Sequence, residues 1–358
     1  MTVKKRSLAS LRSQLHLLTG FIAGFVSAFM LLLYIYDVNS GMPHAPTSSS
    51  SSSSSVRAYQ LAPAAASRVL CMVLTCPDYV ERYAQHVAAT WGKRCSKLLF
   101  VSSEDYEPLG VVQVVQSDSY DELWNKTHEG FRHVWLQYGE QYDWFLKADD
   151  DTYVIMENLL QLLSAYDADM PVYFGYQMSR YNVSYMSGGA SYVLSREALR
   201  RFMSQAYGNS KLCPAPKTMG IEDFYMGICL QNVGVRLIDS QRALPQLDER
   251  PKFMPINVAN YLYNGNISIP DWLRAMSLNE IETGYNCCSN YSIAFHYTKP
   301  ELMYLYEFFL YHLRVYGRKY AEEPPAKLTA AEIMEMFPLE NNSNIQDLSQ
   351  WANKPDNF

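Results

Sequence analysis

Short apolar runs alternate with segments of helical spacing through the middle of the sequence. The apolar runs that predict buried strands are 69–75, 97–102, 111–115 and 144–147. The segments that predict helices are 78–91, 121–138 and 156–166. Strands that alternate with helices are typical of an α/β domain with a mixed, largely parallel central sheet. In such a sheet, ligands bind beyond the carboxyl ends of the strands.

The N-terminal region predicts a membrane anchor and a stem. Residues 17–36 carry no charge and reach the length of about 20 residues that spans a bilayer as a helix. Basic residues precede this segment, so the positive-inside rule places residues 1–16 in the cytosol and the remainder in the lumen. A cleaved signal peptide is the alternative. The Ser- and Pro-rich stretch 37–67 predicts a flexible stem, followed by a luminal catalytic domain at 68–320 and a tail at 321–358.

The composition excludes two classes of protein. Aromatic residues make up 14% of the chain, which is too many for a disordered protein. Lys and Arg number 30 against 36 Asp and Glu, and the resulting net charge of −6 argues against a general nucleic-acid binder. A folded domain with a substrate other than nucleic acid is therefore expected.

The fourth apolar run ends directly in three carboxylates, Asp149, Asp150 and Asp151. Adjacent like charges repel, and burial raises the pKa of a carboxyl group. A hard divalent cation such as Mn²⁺ or Mg²⁺ relieves this repulsion and can stabilise a departing diphosphate. A solvated acidic turn is the alternative interpretation. The position after a buried strand, in a chain with a predicted anchor, favours a metal site.

Three further motifs carry groups that suit a binding site. Glu222 and Asp223 precede an apolar helical segment, so either could be a general base or could interact with the helix N-terminus. His296 lies between two aromatic residues and could be a metal ligand or a structural residue. Gly188 and Gly189 permit either a tight turn or the close approach of the backbone to a ligand.

The cysteines and sequons fit a protein of the secretory pathway. There are seven cysteines, so at least one is left without an intramolecular partner in an oxidising compartment. Cys287 and Cys288 are adjacent and could bond to each other or to other cysteines. Asn125 lies in a predicted helix, so we expect its sequon to be unused. The other sequons are at Asn182, Asn266, Asn290 and Asn341.

Taken together, these motifs resemble the animal β1,3-glycosyltransferases of the fringe-like group, and above all the core 1 β1,3-galactosyltransferase family. The resemblance extends from about residue 68 to 320. It implies a GT-A fold for nucleotide-diphosphate sugars, a single-pass type II protein of the Golgi membrane, and a homodimer. The matching residues are 89–91, 94–95, 149–153, 173–175, 185–190, 192–195, 221–223, 287–289 and 295–297.

The resemblance also implies substrates, a cofactor and residue roles. The donor would be UDP-galactose, the cofactor Mn²⁺, and the acceptor GalNAc linked to Ser or Thr of a glycoprotein. Asp223 would be the catalytic base of an inverting transfer. The metal group would be Asp149, Asp151 and His296, with Asp149 acting through the ribose or a metal-bound water. The donor-binding residues would be Thr75, Arg94, Lys147, Asp150, Gly188 and Gly189. The acceptor-binding residues would be Trp272, Tyr297 and Glu222.

The same resemblance implies a disulfide pattern. The pairs would be Cys71–Cys95, Cys213–Cys229 and Cys287–Cys288, which would leave Cys76 unpaired.

The sequence departs from the family pattern in several places. Ile228 stands where an Arg is usual, Cys76 where a Gly is frequent, and residues 255–262 replace a Pro-Glu-His-His-Leu-like stretch. We therefore expect the acceptor side, 240–282, to differ most. One alternative function is the transfer of another sugar, such as GlcNAc, or transfer to another acceptor. A second is a non-catalytic, chaperone-like role, which the intact aspartate motif at 149–151 disfavours.

Overall fold

The computed structural model describes residues 67–215, 221–245, 251–263, 269–315 and 326–339. The β-strands among them are β1 Val69–Leu74, β2 Lys97–Ser102, β3 Val111–Gln113, β4 Trp144–Asp149, β5 Tyr153–Val154, β6 Val172–Gly175, β7 Gln177–Arg180, β8 Val183–Met186, β9 Tyr192–Ser195, β10 Arg236–Asp239, β11 Lys252–Met254 and β12 Ser292–Phe295.

Helices connect most of these strands. Helix α1 consists of Pro77–Tyr79 and Gln85–Ala89 around a π-helical turn at Val80–Ala84. The other α-helices are α2 Leu123–Tyr138, α3 Met156–Ser164, α4 Arg196–Arg201, α5 Glu222–Asn232, α6 Val258–Leu262, α7 Asp271–Met276, α8 Pro300–Glu307 and α9 Ala330–Met336. Turns of π-helix extend α4 and α8 at Phe202–Ala206 and Phe308–His312. Turns of 3₁₀-helix lie at Trp91–Arg94, Glu107–Leu109, Tyr120–Glu122, Ser240–Arg242 and Gly284–Asn286.

The central sheet has seven strands in the order β10-β6-β9-β4-β1-β2-β3. Strand β9 runs antiparallel to β4 and β6, and the other neighbouring pairs are parallel. The predicted mixed, largely parallel sheet is therefore confirmed. Strands β1, β6 and β9 are buried along their whole length. This burial explains why the sequence shows β1 as a short apolar run at 69–75, whereas β6 and β9 were not predicted.

The register of the strands brings several chain segments to one edge of the sheet. Leu74, at the end of β1, pairs with Asp149, at the end of β4. A smaller sheet, β11-β12-β5, lies beside this edge because β5 begins soon after Asp151. In that sheet Phe295 of β12 pairs with Tyr153 of β5. His296 therefore follows directly from a strand that is hydrogen-bonded next to the aspartate triplet.

Helix α2 buries more polar side chains than its hydrophobic periodicity predicts. The helical spacing of Leu123, Phe131, Val134, Trp135 and Tyr138 predicts that they share one face, but only Phe131 and Val134 are buried and the other three are half-buried. Lys126, Thr127 and His128 are also buried. Hydrophobic periodicity identifies only apolar positions. It therefore did not indicate that Lys126 lies on this face and points to the end of β1.

The disulfide pattern implied by the resemblance is present. The bonded pairs are Cys71–Cys95, Cys213–Cys229 and Cys287–Cys288. Cys76 is free and half-buried.

Several predictions concern residues outside the described part of the chain. The anchor at 17–36, its flanking segments and the sequons at Asn266 and Asn341 lie there. Across the described ranges, no helix has both the length and the apolar character needed to cross a membrane. Asn125 is half-buried, and its amide donates to Glu122 at 2.8 Å. Asn182 and Asn290 are exposed.

Candidate active site

Three predicted metal ligands converge at the edge where β4 and β12 end. One ligand atom from each of Asp149, Asp151 and His296 lies within 4.8 Å of the others. The Nε2 atom of His296 is 3.3 Å from Asp151 Oδ1 and 3.9 Å from Asp149 Oδ2. Two carboxylates and one imidazole form a donor set that suits a divalent ion such as Mn²⁺.

The imidazole of His296 is oriented by its surroundings. Its Nδ1 atom is 3.0 Å from the Pro255 carbonyl oxygen, which can only accept, so Nδ1 carries the proton. In the neutral ring this leaves the Nε2 lone pair facing the carboxylates, the arrangement usual for a metal-ligating histidine. Gly189 is required here because an added Cβ would overlap the ring. Burial by itself lowers the pKa of His296, but Asp151 and Asp149 raise it above its ordinary value.

The predicted base, Asp223, lies in the first turn of α5 beside the glycine turn. Its Oδ2 atom accepts the Gly188 N–H at 2.8 Å, and its Oδ1 atom accepts the Phe224 N–H at 2.8 Å. Burial raises the pKa of Asp223 above its ordinary value, although these two N–H groups and Lys147 oppose the rise. A fixed carboxylate with a raised pKa is suited to take a proton from a hydroxyl group.

Lys147 and Glu222 form a buried pair below these groups. The Lys147 ammonium lies 2.8 Å from Asp149 Oδ1, 2.8 Å from Glu222 Oε1 and 3.3 Å from the Gly188 carbonyl oxygen. Burial by itself lowers the pKa of Lys147, but Asp149 and Glu222 raise it above its ordinary value. Burial raises the pKa of Glu222 to about 7. The other Glu222 oxygen accepts the hydroxyl of Tyr192 at 3.1 Å.

A second buried polar group lies at the end of β1. The hydroxyl of Thr75 donates to Asp150 at 2.6 Å, and Lys126 Nζ donates to the Thr75 carbonyl at 2.7 Å. Lys126 also forms an ion pair with Asp118. Burial raises the pKa of Asp150 to about 8 and lowers that of Lys126 to about 8.

Sequence analysis missed Lys126 and Asp118. Asp118 could have been identified because it lies shortly after β3, near the carboxyl edge of the sheet. Lys126 could have been identified because its four-residue spacing from Gly130 and Val134 places it on the buried face of α2.

The predicted acceptor residues differ in their surroundings. Tyr297 is 52% exposed, and its ring stacks on His296 with 3.8 Å between centroids, so the other face of the ring is available to a ligand. Trp272 is half-buried in α7 and packs against the core. Glu222 is 5% exposed. Tyr297 is thus the predicted acceptor residue with the largest accessible surface.

Arg94 lies in a different network. Its guanidinium makes two 2.7 Å hydrogen bonds to Glu307 and lies 3.6 Å above the centre of the Tyr311 ring. Its Nε atom also lies 3.5 Å from Glu157 Oε1 of α3. These contacts join Arg94 to α3, to α8 and to the π-helical turn that follows α8, and its predicted contact with the donor stays a prediction.

The residues that depart from the family pattern border this site. Pro255 supplies the carbonyl that orients His296, and the Asn257 side chain donates to the Tyr297 carbonyl at 3.3 Å. Ile228 is fully buried in α5. The divergent stretch 255–262 therefore contacts both His296 and Tyr297 directly.

A comparison with solved structures returned a mutant form of Drosophila β1,4-galactosyltransferase 7 in complex with manganese, UDP-Gal and xylobiose. The TM-score is 0.31 and the identity 14%, over 49% of this chain and 66% of that one. Human β-1,3-glucosyltransferase is 26% identical over 175 residues, which are 47% of this chain and 33% of the relative.

Two stronger matches cover most of the described domain. The family model described as Fringe-like matches residues 64–260, more than half of the chain. Glycoprotein-N-acetylgalactosamine 3-beta-galactosyltransferase 1 of Xenopus laevis is 38% identical over 285 residues, which cover 78% of this chain and 77% of the relative. With a mixed, mostly parallel central sheet and an Asp-Asp-His group at its edge, the chain belongs to the fringe-like β1,3-glycosyltransferases, as a member similar to the core 1 β1,3-galactosyltransferases.

Proposed function

We propose that this chain is an inverting galactosyltransferase of GT-A fold that transfers galactose from UDP-galactose to O3 of GalNAc linked to Ser or Thr. The observation that carries this proposal is the placement of a fixed carboxylate, Asp223, at the same glycine turn that packs against His296. The similarity to the Xenopus glycoprotein-N-acetylgalactosamine 3-β-galactosyltransferase supports the choice of substrates.

On the donor side, Asp149, Asp151 and His296 would hold Mn²⁺, which would supply positive charge for the leaving diphosphate. The Cβ positions of Gly188 and Gly189 are occupied by Glu222 and His296, so the turn packs closely between the metal ligands and Asp223, and its backbone would border the donor sugar. Thr75 and Asp150 border the end of β1. The sugar-nucleotide would therefore lie across the carboxyl edge of the sheet, as expected for a fold of this class.

The proposed transfer is a single displacement. Asp223 accepts the proton of the acceptor O3 hydroxyl. The O3–C1 bond forms as the bond between C1 and the diphosphate oxygen breaks, and UDP leaves with the electron pair of that bond. Attack from the face opposite UDP converts the α-linked donor into a β-linked product, so no covalent enzyme intermediate is needed. Tyr297 and Trp272 would stack on the acceptor sugar.

A different acceptor or donor sugar is the second candidate. The observation that favours it is the contact of the divergent stretch 255–262 with His296 and Tyr297. Changes in that stretch would alter the acceptor side without changing the metal ligands.

The proposed setting of the enzyme is the Golgi membrane. The apolar segment 17–36 would be the type II anchor, and residues 37–67 would hold the luminal domain away from the bilayer. A homodimer is part of the same proposal.

The proposal can be tested with the purified full-length chain in detergent. UDP-Gal, UDP-GlcNAc and UDP-GalNAc are offered separately with a GalNAc-O-peptide and Mn²⁺, and the product mass is measured before and after chelation. We expect galactose transfer that stops on chelation and returns with Mn²⁺. Transfer of GlcNAc alone would support the second candidate. Absence of both transfer and UDP binding by the folded protein would contradict the catalytic proposal.

A further inference from the structure

A buried ion pair lies beneath the candidate active site, and no step of the proposed transfer uses it. Lys147 is 1% exposed, Glu222 is 5% exposed and Tyr192 is fully buried. Removing two charges from water is costly, and it is tolerated only when each charge has well-placed partners. Lys147 has three such partners, in Asp149, Glu222 and the Gly188 carbonyl oxygen.

These contacts connect the two halves of the site. Lys147 contacts Asp149 Oδ1 at 2.8 Å, while the other oxygen of Asp149 faces His296. Lys147 also contacts the carbonyl of Gly188, whose N–H donates to the base Asp223 at 2.8 Å. One ammonium group is therefore linked both to a metal-binding carboxylate and to the turn that holds the base.

Glu222 provides a second link. It precedes Asp223 in the first turn of α5, so fixing its carboxylate also restricts the start of that helix. One oxygen lies 2.8 Å from Lys147 and the other accepts the Tyr192 hydroxyl. An added Cβ at Gly188 would overlap the Glu222 carboxylate, which shows how closely the turn packs on this group.

We propose that Lys147 and Glu222 are positioning residues that hold Asp149 and Asp223 in one geometry, and that neither contacts a substrate. This inference rests on the proposed function. It assigns Lys147 and Glu222 a role other than the donor and acceptor contacts that the family resemblance implies for them. Partners that orient metal ligands are typically worth about 10-fold to 100-fold in metal affinity or activity.

The test compares Glu222→Gln with Asp143→Asn in the full-length chain. The first change keeps the shape of the side chain and an oxygen for Tyr192 but removes the charge opposite Lys147. The control removes a charge at the other end of β4, where Asp143 pairs with Arg196 at 2.8 Å. We measure kcat, the KM for each substrate, and the affinity for UDP in the presence of Mn²⁺ by calorimetry.

For Glu222→Gln we expect kcat to fall about 10-fold to 100-fold and Mn²⁺-dependent UDP binding to weaken about 10-fold, with little change in acceptor KM. Asp143→Asn should leave all three quantities close to those of the unchanged chain. A rise in acceptor KM with unchanged kcat would overturn the proposal, because that result is expected of an acceptor contact.

The double variant Lys147→Met with Glu222→Gln separates positioning from stability. It leaves no unpaired charge between the two residues, so it should fold even if the single variant does not. We expect this variant to keep a thermal transition near that of the unchanged chain and to remain slow. Recovery of kcat together with stability would show a purely structural role. If the unchanged chain transfers no sugar, the proposed function fails. The positioning role is then decided by whether Glu222→Gln weakens Mn²⁺-dependent UDP binding relative to the unchanged chain.

Discussion

The two sides of the candidate site are built differently. On the proposed donor side, Asp149, Lys147, Glu222 and Asp223 are joined to Gly188 by a continuous set of contacts of 2.8–3.3 Å. On the proposed acceptor side, the divergent stretch 255–262 contacts the site through the Pro255 carbonyl and the Asn257 side chain. In the first region Lys147 and Glu222 are buried and Asp149 and Asp223 are half-buried, whereas Tyr297 on the second is half exposed.

This difference indicates where substitutions can be tolerated. A change in the donor side leaves a buried charge or N–H group without its partner, which costs about 1–3 kcal/mol or more. A change on the exposed rim alters a surface that water can rehydrate. The divergent stretch 255–262 is not part of the exposed rim, because Pro255, Ile256, Asn257 and Tyr261 are buried. The predictions below probe the two sides in turn.

The largest effect is expected for Asp151→Ala. This change removes a carboxylate 3.3 Å from His296 Nε2, so we expect Mn²⁺-dependent UDP binding to be lost while the fold is retained. Calorimetry with UDP and Mn²⁺, together with circular dichroism, provides the measurement. Asp169→Ala, at an exposed ion pair with Arg196, is the control and should bind normally. Unchanged UDP binding by the Asp151 variant would exclude this residue from the metal site.

The next largest effect is expected for Asp223→Asn. The amide keeps the size of the side chain but cannot take the acceptor proton, so we expect the transfer rate to fall about 10²-fold to 10⁴-fold. Binding of UDP with Mn²⁺ should be retained because the metal ligands are unchanged. The measurement is kcat with a saturating GalNAc-O-peptide. A near-normal kcat would show that Asp223 is not the base.

A smaller effect is expected for Gly188→Ala. The added methyl group would overlap the Glu222 carboxylate, so the turn must move away from Asp223. We expect kcat to fall about 10-fold to 100-fold, as for the loss of other orienting contacts. Gly110→Asn is a suitable control because nothing lies within 4 Å of an added Cβ at Gly110, and Asn tolerates its positive φ of 64°. Equal kcat values for the two variants would contradict the proposed packing.

The smallest effect is expected on the rim, for Tyr297→Ala. Loss of one stacking ring should raise the KM for the acceptor by about 2-fold to 10-fold, in line with aromatic contacts of about 0.5–1.5 kcal/mol. The KM for UDP-galactose should stay the same. Steady-state kinetics with each substrate varied checks this split, and Phe309→Ala, at a 52% exposed ring of the turn that extends α8, is the control. A change confined to the donor KM would move Tyr297 to the donor side.

Local patterns were sufficient to predict the class of fold. The apolar runs at 69–75 and 144–147 are short and continuous because their strands are covered on both faces, and this pattern survives without any knowledge of tertiary contacts. Likewise, three carboxylates after a buried strand indicate a metal site because their mutual repulsion needs compensation wherever the chain folds. The disulfide pairs followed only from the family resemblance.

Other features depend on segments far apart in the chain. Lys126 reaches the end of β1 across 51 positions, and Lys147 meets Gly188 across 41, so neither contact has a local signature. The orientation of His296 also has no local signature, because it depends on the Pro255 carbonyl, 41 positions away in the chain. Hydrophobic patterning records which side chains avoid water, and it therefore identifies strands and buried faces. It does not record which buried charges meet, because a charge is buried only where the folded chain supplies its partner.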